Sequence, residues 1–583
     1  MENNKVIGYL LIILLLVTYY TYFVPNYENN DSNNSNQSDK ENINPDKEAN
    51  NNDFNNNKNY LKKSEKQKDV LIENQDIIIT FSNQGAYIKK VVLKNHYAFN
   101  KPLDLINEKS SIINYKLFKG DSTINFNELI FNYNINKNLD STSINFYLDS
   151  NNGEEFNIKY NIPNSGYLIS SKINLKSYDY ENLSFYWSNK VIHQEKNYDY
   201  EKSVTTINYY DEDNNYDYLS ASSTEKIEED INANLKWIST KQQFFSSAII
   251  TNNIFNNTFL KSVYNEDTSF IKTTIIETKI PLINRSSSLS FYFGPNKYDI
   301  LKNIATGFDK NVYLGWWGVN SFNKYIIIPI FNLLEQSISS YGLIIFIMVI
   351  LIRIIITPFT YKSHISMAKM KIVSPEVNKI KEKYSGDMQK SQAEIMQLYQ
   401  KTGVNPLGGC LPLLFQLPIL ISVFYFLPNA IELRQKSFLW AEDLSSYDSI
   451  LNLPFSIPLY GDHVSFFTLL MTVSTILINS ANSQMQTMEG PMKIMQYVLP
   501  VMFLFIFNNF SSGLTYYYFL SNVLSFGQVY LFRRLVNEDD IKKEIDYNRK
   551  QNLNVKKSSF RIRLEEAMKA NQEAQKNRKK NNT

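Results

Sequence analysis

The chain has 583 residues, a net charge of +3, one cysteine and four histidines. It is too long for one compact core, its near-balanced charge names no partner, and a lone cysteine excludes an internal disulfide framework. The histidines stand far apart and no nucleotide-binding loop or hydrolase elbow is present, so no cofactor, metal or catalytic set is expected.

The negative mean hydropathy averages two unlike regions. Residues 25–320 are polar and rich in Asn, Asp, Lys and Tyr, whereas residues 321–535 are mostly apolar. At the amino end, Val6 to Val24 is long enough to cross a hydrocarbon core and ends in the aromatic cluster Tyr19, Tyr20, Tyr22 and Phe23. No small-x-small cleavage site follows, so residues 1–25 read as an uncleaved signal anchor. Residues 26–69 are Asn-rich, too poor in apolar groups to offset ordering entropy, and read as a disordered linker.

From residue 70 to about 310 the pattern becomes alternation, as in Asp76–Phe81, Ser143–Leu148 and Tyr167–Leu175. Short β-branched and aromatic runs between Asn, Asp, Gly and Ser turns predict a large all-β sandwich. Its Tyr and Asn content fits solvated strand faces and turns, or sugar binding, and no convergent polar motif singles out the second.

Residues 316–339 predict an amphipathic surface helix kinked at Pro329, with Ile326, Ile327, Ile330, Leu333 and Leu334 on one face. The region 340–535 predicts five spans, at 340–360, 410–431, 464–480, 494–510 and 514–535. The first of them carries Arg353 among Ile350, Leu351, Ile352, Ile354, Ile355 and Ile356. A charge deep in hydrocarbon costs about 2.5–3.5 kcal/mol on insertion scales, so such a residue faces a watery cavity or snorkels to an interface. Between the first two of these spans, residues 361–408 hold eight Lys against four acids and predict a helical hairpin outside the bilayer, from about Lys362–Ile372, Pro375–Lys383 and Gln389–Thr402. Residues 536–583 form a basic tail with 13 Lys and Arg against eight acids from Asn537 on. The loop Glu432 to Asp462 is mostly acidic. The positive-inside rule then puts both termini and both basic segments in the cytoplasm and the β domain outside. The fold class is a multi-domain membrane protein: an all-α six-span region, with a five-helix core plus the amino-terminal anchor, and a large all-β domain.

Several stretches carry a family likeness. NPLGGCLPLLFQLPI from Asn405, RIIITPFTYKSHISMAKM at Arg353–Met370 and LPVMFLFIFNNFSSGLTYYYFLSN at Leu499–Asn522 resemble the membrane-protein insertases (YidC and its mitochondrial and chloroplast relatives). So do ELRQKSFLWAEDLS from Glu432, FYFGPNKYDIL from Phe291 and, in the β domain, WISTKQQFFSSAII from Trp237. The resemblance implies an inner-membrane insertase of the Gram-negative form, whose β domain is similar to a sugar-enzyme fold without a catalytic set. It implies a hydrophilic groove, open to cytoplasm and lipid, with Arg353 at its functional position and Gln416, Asn479 and Tyr518 lining it. Implied partners are nascent membrane proteins, the ribosome, the Sec translocon and the lipid bilayer, with no specific nucleic-acid sequence. Two other readings stay open on the residues: an anion or solute transporter using Arg353, and a carbohydrate-binding or polymer-export protein built on the β domain.

Overall fold

The computed structural model describes residues 66–551 apart from 99–100, 120–121, 151–152, 176–181, 220–225, 406–407, 409–410, 459 and 484–490. The expected anchor, nearly all of the linker, Cys410 and the tail beyond residue 551 lie outside the described residues. The chain divides into two compact units. The first runs to Leu314 and takes in Phe426–Arg434; the second holds Gly315–Tyr425 and the chain from Gln435.

The first unit is β-rich. Four antiparallel strands, Asp69–Glu73, Ile77–Ser82, Tyr87–Ala98 and Lys101–Ile106, form one sheet in chain order. The larger sheet turns a corner on the 20-residue strand Phe245–Tyr264. Its first half pairs with Leu235–Lys241 and Ser286–Pro295; its second half pairs with Ile227–Ile231 and Phe270–Pro281. The register shifts between Asn256 and Phe259, and Asn257 takes φ +47°, the irregularity by which one strand serves two layers.

The alternation read from the sequence puts Leu183, Phe185 and Trp187 on the inner face of Asn182–Ile192. Across the layers Phe185 meets Phe291 at 6.3 Å between centroids and Trp187 meets Phe293 at 5.9 Å. The buried hydroxyls of Tyr115 and Tyr160 lie 3.4 Å apart, and Tyr160 donates to the Ala86 carbonyl. Each fully buried aromatic of this kind contributes about 1.5–3 kcal/mol of apolar transfer.

Buried charge in this unit gathers around helix α1 (Tyr198–Val204). Glu201 is fully buried and accepts from the Gln194 and Glu195 amides and from Gln242. Burial, and then the charge of Glu195, raise its pKa well above the usual carboxylate range. Glu195 itself is clasped at 2.9 Å by Arg434 of the segment Phe426–Arg434. At the other end of α1, Lys241 and Lys272 donate to the Val204 and Thr205 carbonyls, which the helix leaves without an internal partner. A one-turn helix, α2 (Tyr298–Leu301), and the turn at Phe308–Asn311 follow the last strand.

The second unit is helical. It opens with α3 (Trp317–Phe322), a π turn at Asn323–Ile327 and α4 (Ile328–Glu335). The π turn adds a residue to the repeat immediately before Pro329, so the single apolar face expected here is divided. Ile327, Ile328 and Phe331 are buried while Ile326 and Leu333 point outward.

Then come α5 (Tyr341–Lys383), α6 (Met388–Thr402), α7 (Leu411–Phe426), α8 (Phe466–Ser483), α9 (Pro491–Phe507), α10 (Ser512–Leu535) and α11 (Glu538–Gln551). The expected break between the first core span and the hairpin is absent. α5 is one helix of 43 residues, about 65 Å long, running through both Pro358 and Pro375. An interior proline costs about 3 kcal/mol. Here Val373 and Val377, either side of Pro375, are buried against Ile395, Val404, Ile541 and Ile545, which offsets that cost.

The start of the tail is likewise not free chain. α11 packs on α5 and α6 through Ile541 and Ile545, and ion pairs Lys369–Glu544 and Arg549–Glu376, at 2.6 and 2.5 Å, flank the contact. Among the described residues one helix, α5, is long and apolar enough to cross a membrane by itself; the apolar parts of α7, α8 and α9 are shorter.

Candidate functional site

α5, α8 and α10 pack side by side, and one end of the group is sealed by the loop after Gln435. Gly342 at the start of α5 lies under the Phe438 ring, so close that an added Cβ would stand 2.1 Å from it. Phe438 stacks toward Tyr516 of α10 at 5.1 Å, Tyr516 toward Phe467 of α8 at 5.0 Å, and Phe467 toward Trp440 at 4.4 Å. Polar groups lock the same end. Asp448, 2 % exposed, caps α8 by accepting from the Phe466 and Phe467 amides and from Ser465 and Trp440. Asn508, in the short turn between α9 and α10, donates to the Tyr460 and His463 carbonyls and accepts from the Ser465 amide. The backbone N–H groups of Ser512 and Gly513 reach the Ser446 and Leu444 carbonyls.

Arg353 lies twelve residues into α5, about 18 Å along its axis from this seal. It is 6 % exposed, and its guanidinium donates to the carbonyl and to the hydroxyl of Ser521 on α10. Among the described residues no carboxylate is paired with it. Polar side chains continue away from the seal along matching faces. Thr357, four residues on, donates to the Arg353 carbonyl and accepts from Gln528 at 2.9 Å. Ser521, Ser525 and Gln528 follow an i, i+4, i+7 spacing on α10, and Ser525 donates to the Ser521 carbonyl. On the α8 side Asn522 donates to Thr475 at 2.8 Å and Ser474 at 3.2 Å. Arg533 closes the series on the Ala481 carbonyl.

Of the four residues singled out from the sequence, one lies in this seam. Arg353 is its centre. Asn479 is half-buried on α8, one turn beyond Thr475. Tyr518 is half-buried on α10, its ring 5.7 Å from Phe507 of α9. Gln416 is half-buried on α7. None of these three is hydrogen-bonded to Arg353. Ser521, which is, is one polar residue among several in the sequence of α10. Among the described residues no group of His, Cys, Asp or Glu is placed to hold a metal ion.

The family model described as the 60Kd inner membrane protein matches residues 333–539, and that of the YidC periplasmic domain matches residues 69–331. A membrane protein insertase YidC of Amoebophilus asiaticus (strain 5a2) is 41% identical over 519 residues, which is 86% of this chain and 87% of that protein. The chain belongs to the YidC membrane protein insertase family. The YidC of Cytophaga hutchinsonii is 34% identical over 536 residues, 87% of this chain and 86% of that one. Among solved structures, an active YidC insertase with its first transmembrane domain resolved covers 80% of this chain and 93% of its own at 17% identity and a TM-score of 0.32. A galactose mutarotase related enzyme of Lactobacillus acidophilus covers 39% of this chain and 97% of its own at 12% identity and a TM-score of 0.25. As a YidC family member the chain is a membrane protein with a periplasmic domain, and its relatives are named as insertases, not as enzymes. They lend no support to a solute transporter or to a polymer-export protein.

Proposed function

We propose that this chain inserts membrane-protein segments, and helps them fold, through a one-sided hydrophilic groove whose charged floor is Arg353. The observation that carries the reading is a buried guanidinium without a carboxylate partner among the described residues, held by Ser521 and followed by a polar seam on α5, α8 and α10. An arginine matched to an acid would be a closed structural pair. One held by a carbonyl and a hydroxyl keeps its net positive charge available to an anionic guest. Gln416, Asn479 and Tyr518 line the same groove further from Arg353.

A hydrophilic or acidic substrate segment enters from the cytoplasmic side and is stopped by the aromatic seal. The groove lowers the desolvation cost that such a segment meets in lipid. The neighbouring apolar segment moves into the bilayer, driven by burial. Local thinning of the bilayer shortens the path. Both termini are cytoplasmic, and the basic surface of α5, α6 and the tail draws ribosomes and nascent chains. The chain works alone or beside the Sec translocon. No bond is made or broken, so no catalytic residue is assigned.

The test is insertion of single-spanning substrates into vesicles containing the purified chain. Arg353→Ala is expected to slow acidic-tailed substrates about tenfold, the loss of roughly 1.4 kcal/mol of differential stabilisation, and to spare neutral-tailed ones. Arg353→Lys should retain most of the activity if charge is what matters. Equal insertion of every substrate by Arg353→Ala would remove the groove role.

A further inference from the structure

The loop between α7 and α8 carries a β-hairpin that the insertase reading does not use. Its strands are Leu451–Ile457 and Gly461–Val464. Between the Asn452–His463 pair and the Ile457–Gly461 pair the first strand has four residues and the second has one, Asp462. The excess, Leu453 to Ser456, is thrown outward as a bulge, and Pro454 suits it because a bulge residue owes no amide to the ladder. Ile450, Leu451 and Phe455 stand 50, 56 and 61 % exposed. From Ile450 to Tyr460 there is no charged residue.

A two-stranded hairpin with an apolar, uncharged bulge is a poor object to leave in water. It is nevertheless firmly built at its base. Asn508 holds the Tyr460 and His463 carbonyls, and the Tyr447 ring stacks on His463 at 3.9 Å.

Two observations identify what covers it. The hairpin is continuous with an exposed apolar helix face: Tyr460 meets Phe505 of α9 at 5.4 Å, and Phe505, Val501 and Val498 are exposed along one face at i, i−4, i−7. It also sits level with the ends of two helices. Its second strand ends two residues before α8 begins, and Thr468 in the first turn of α8 bonds the carbonyl of Phe507, the last residue of the short α9. The polar groups form a rim, with Asp462 exposed on the opposite strand and Trp440 anchored by its N–H to Asp448.

We propose that the bulge of this hairpin is a lipid anchor. Leu451 and Phe455 enter the headgroup–acyl boundary of the leaflet at the amino end of α8, and so fix the height and tilt of the sealed end of the helical unit. The inference goes beyond the groove reading and stands or falls separately from it.

The experiment places a nitrobenzoxadiazole label at Phe455→Cys in the full chain, with Cys410→Ala removing the native thiol and insertion activity checking the fold. Leu451→Cys serves as a second labelled position, and Asp462→Cys as the rim control. In phospholipid vesicles, brominated acyl chains should quench the label at 455 about two-fold or more while iodide on both sides of the bilayer leaves it bright; the label at 462 should behave the opposite way. Iodide quenching at both 455 and 451 without any effect of brominated lipid would overturn the anchor. So would shielding from both quenchers that disappears as the protein is diluted in lipid, the outcome for a contact between two copies.

Discussion

Buried cations occur in both units, Arg353 in the helical one and Arg434, Lys241 and Lys272 in the β unit. Among the described residues of the β unit, Arg434 is paired with Glu195, and Lys241 and Lys272 donate to carbonyls at the end of α1. Burial pulls the Lys241 pKa down to about 8; burial, then the charges of Lys202 and Lys241, pull Lys272 to about 7. The unfolded chain keeps these protons to the ordinary value of 10.5. Between pH 7 and 10.5 the unfolded state therefore binds more protons and stability rises with pH, by up to about 1.4 kcal/mol per pH unit for each lysine. Lys272→Met should flatten that rise in denaturant melts of the β unit, standing relatively higher at pH 7 and losing the advantage toward pH 10. Parallel curves would show that the native amine stays charged. Arg353 stands out in the sequence as one charge in an isoleucine run. Ser521 does not, since serines are ordinary in membrane helices and only a partner on another helix gives this one a role.

Elements betray the limits of local signals. Pro375 marks a helix start in the sequence, yet α5 passes through it because Val373 and Val377 are buried on both sides, a tertiary effect that no window of the chain contains. The charge total of the tail hides Ile541 and Ile545, at the i, i+4 spacing that docks α11. Ile545→Asp should undock it, costing about 2–4 kcal/mol locally. Limited proteolysis would show this as cleavage within 538–551 under conditions that leave the parent helix intact; unchanged protection would contradict the packing. At the sealed end, Gly342→Ala drives a methyl into the Phe438 ring. A loss of about 1–3 kcal/mol is expected, seen as a lower melting temperature of the detergent-solubilised chain, with Phe438→Ala in the same chain relieving part of it.

At the scale of the whole molecule, the shift from polar to apolar composition near residue 320 foretold two units, and the strand alternation foretold the paired β layers. That Phe426–Arg434 belongs with the β unit was invisible, since it rests on Arg434 meeting Glu195 across 239 positions. The helical unit has a direction: α5, α8 and α10 are shut at one end by aromatics and polar from Arg353 onward toward the other. The most direct test puts a photocrosslinking side chain at Thr357 or Ser525 on the polar seam, and at Val498 on the exposed face of α9, and presents a stalled ribosome–nascent chain with an acidic tail. The account predicts that the tail crosslinks from 357 and 525 and not from 498. Equal crosslinking from all three, or crosslinking from 498 alone, would contradict a groove floored by Arg353.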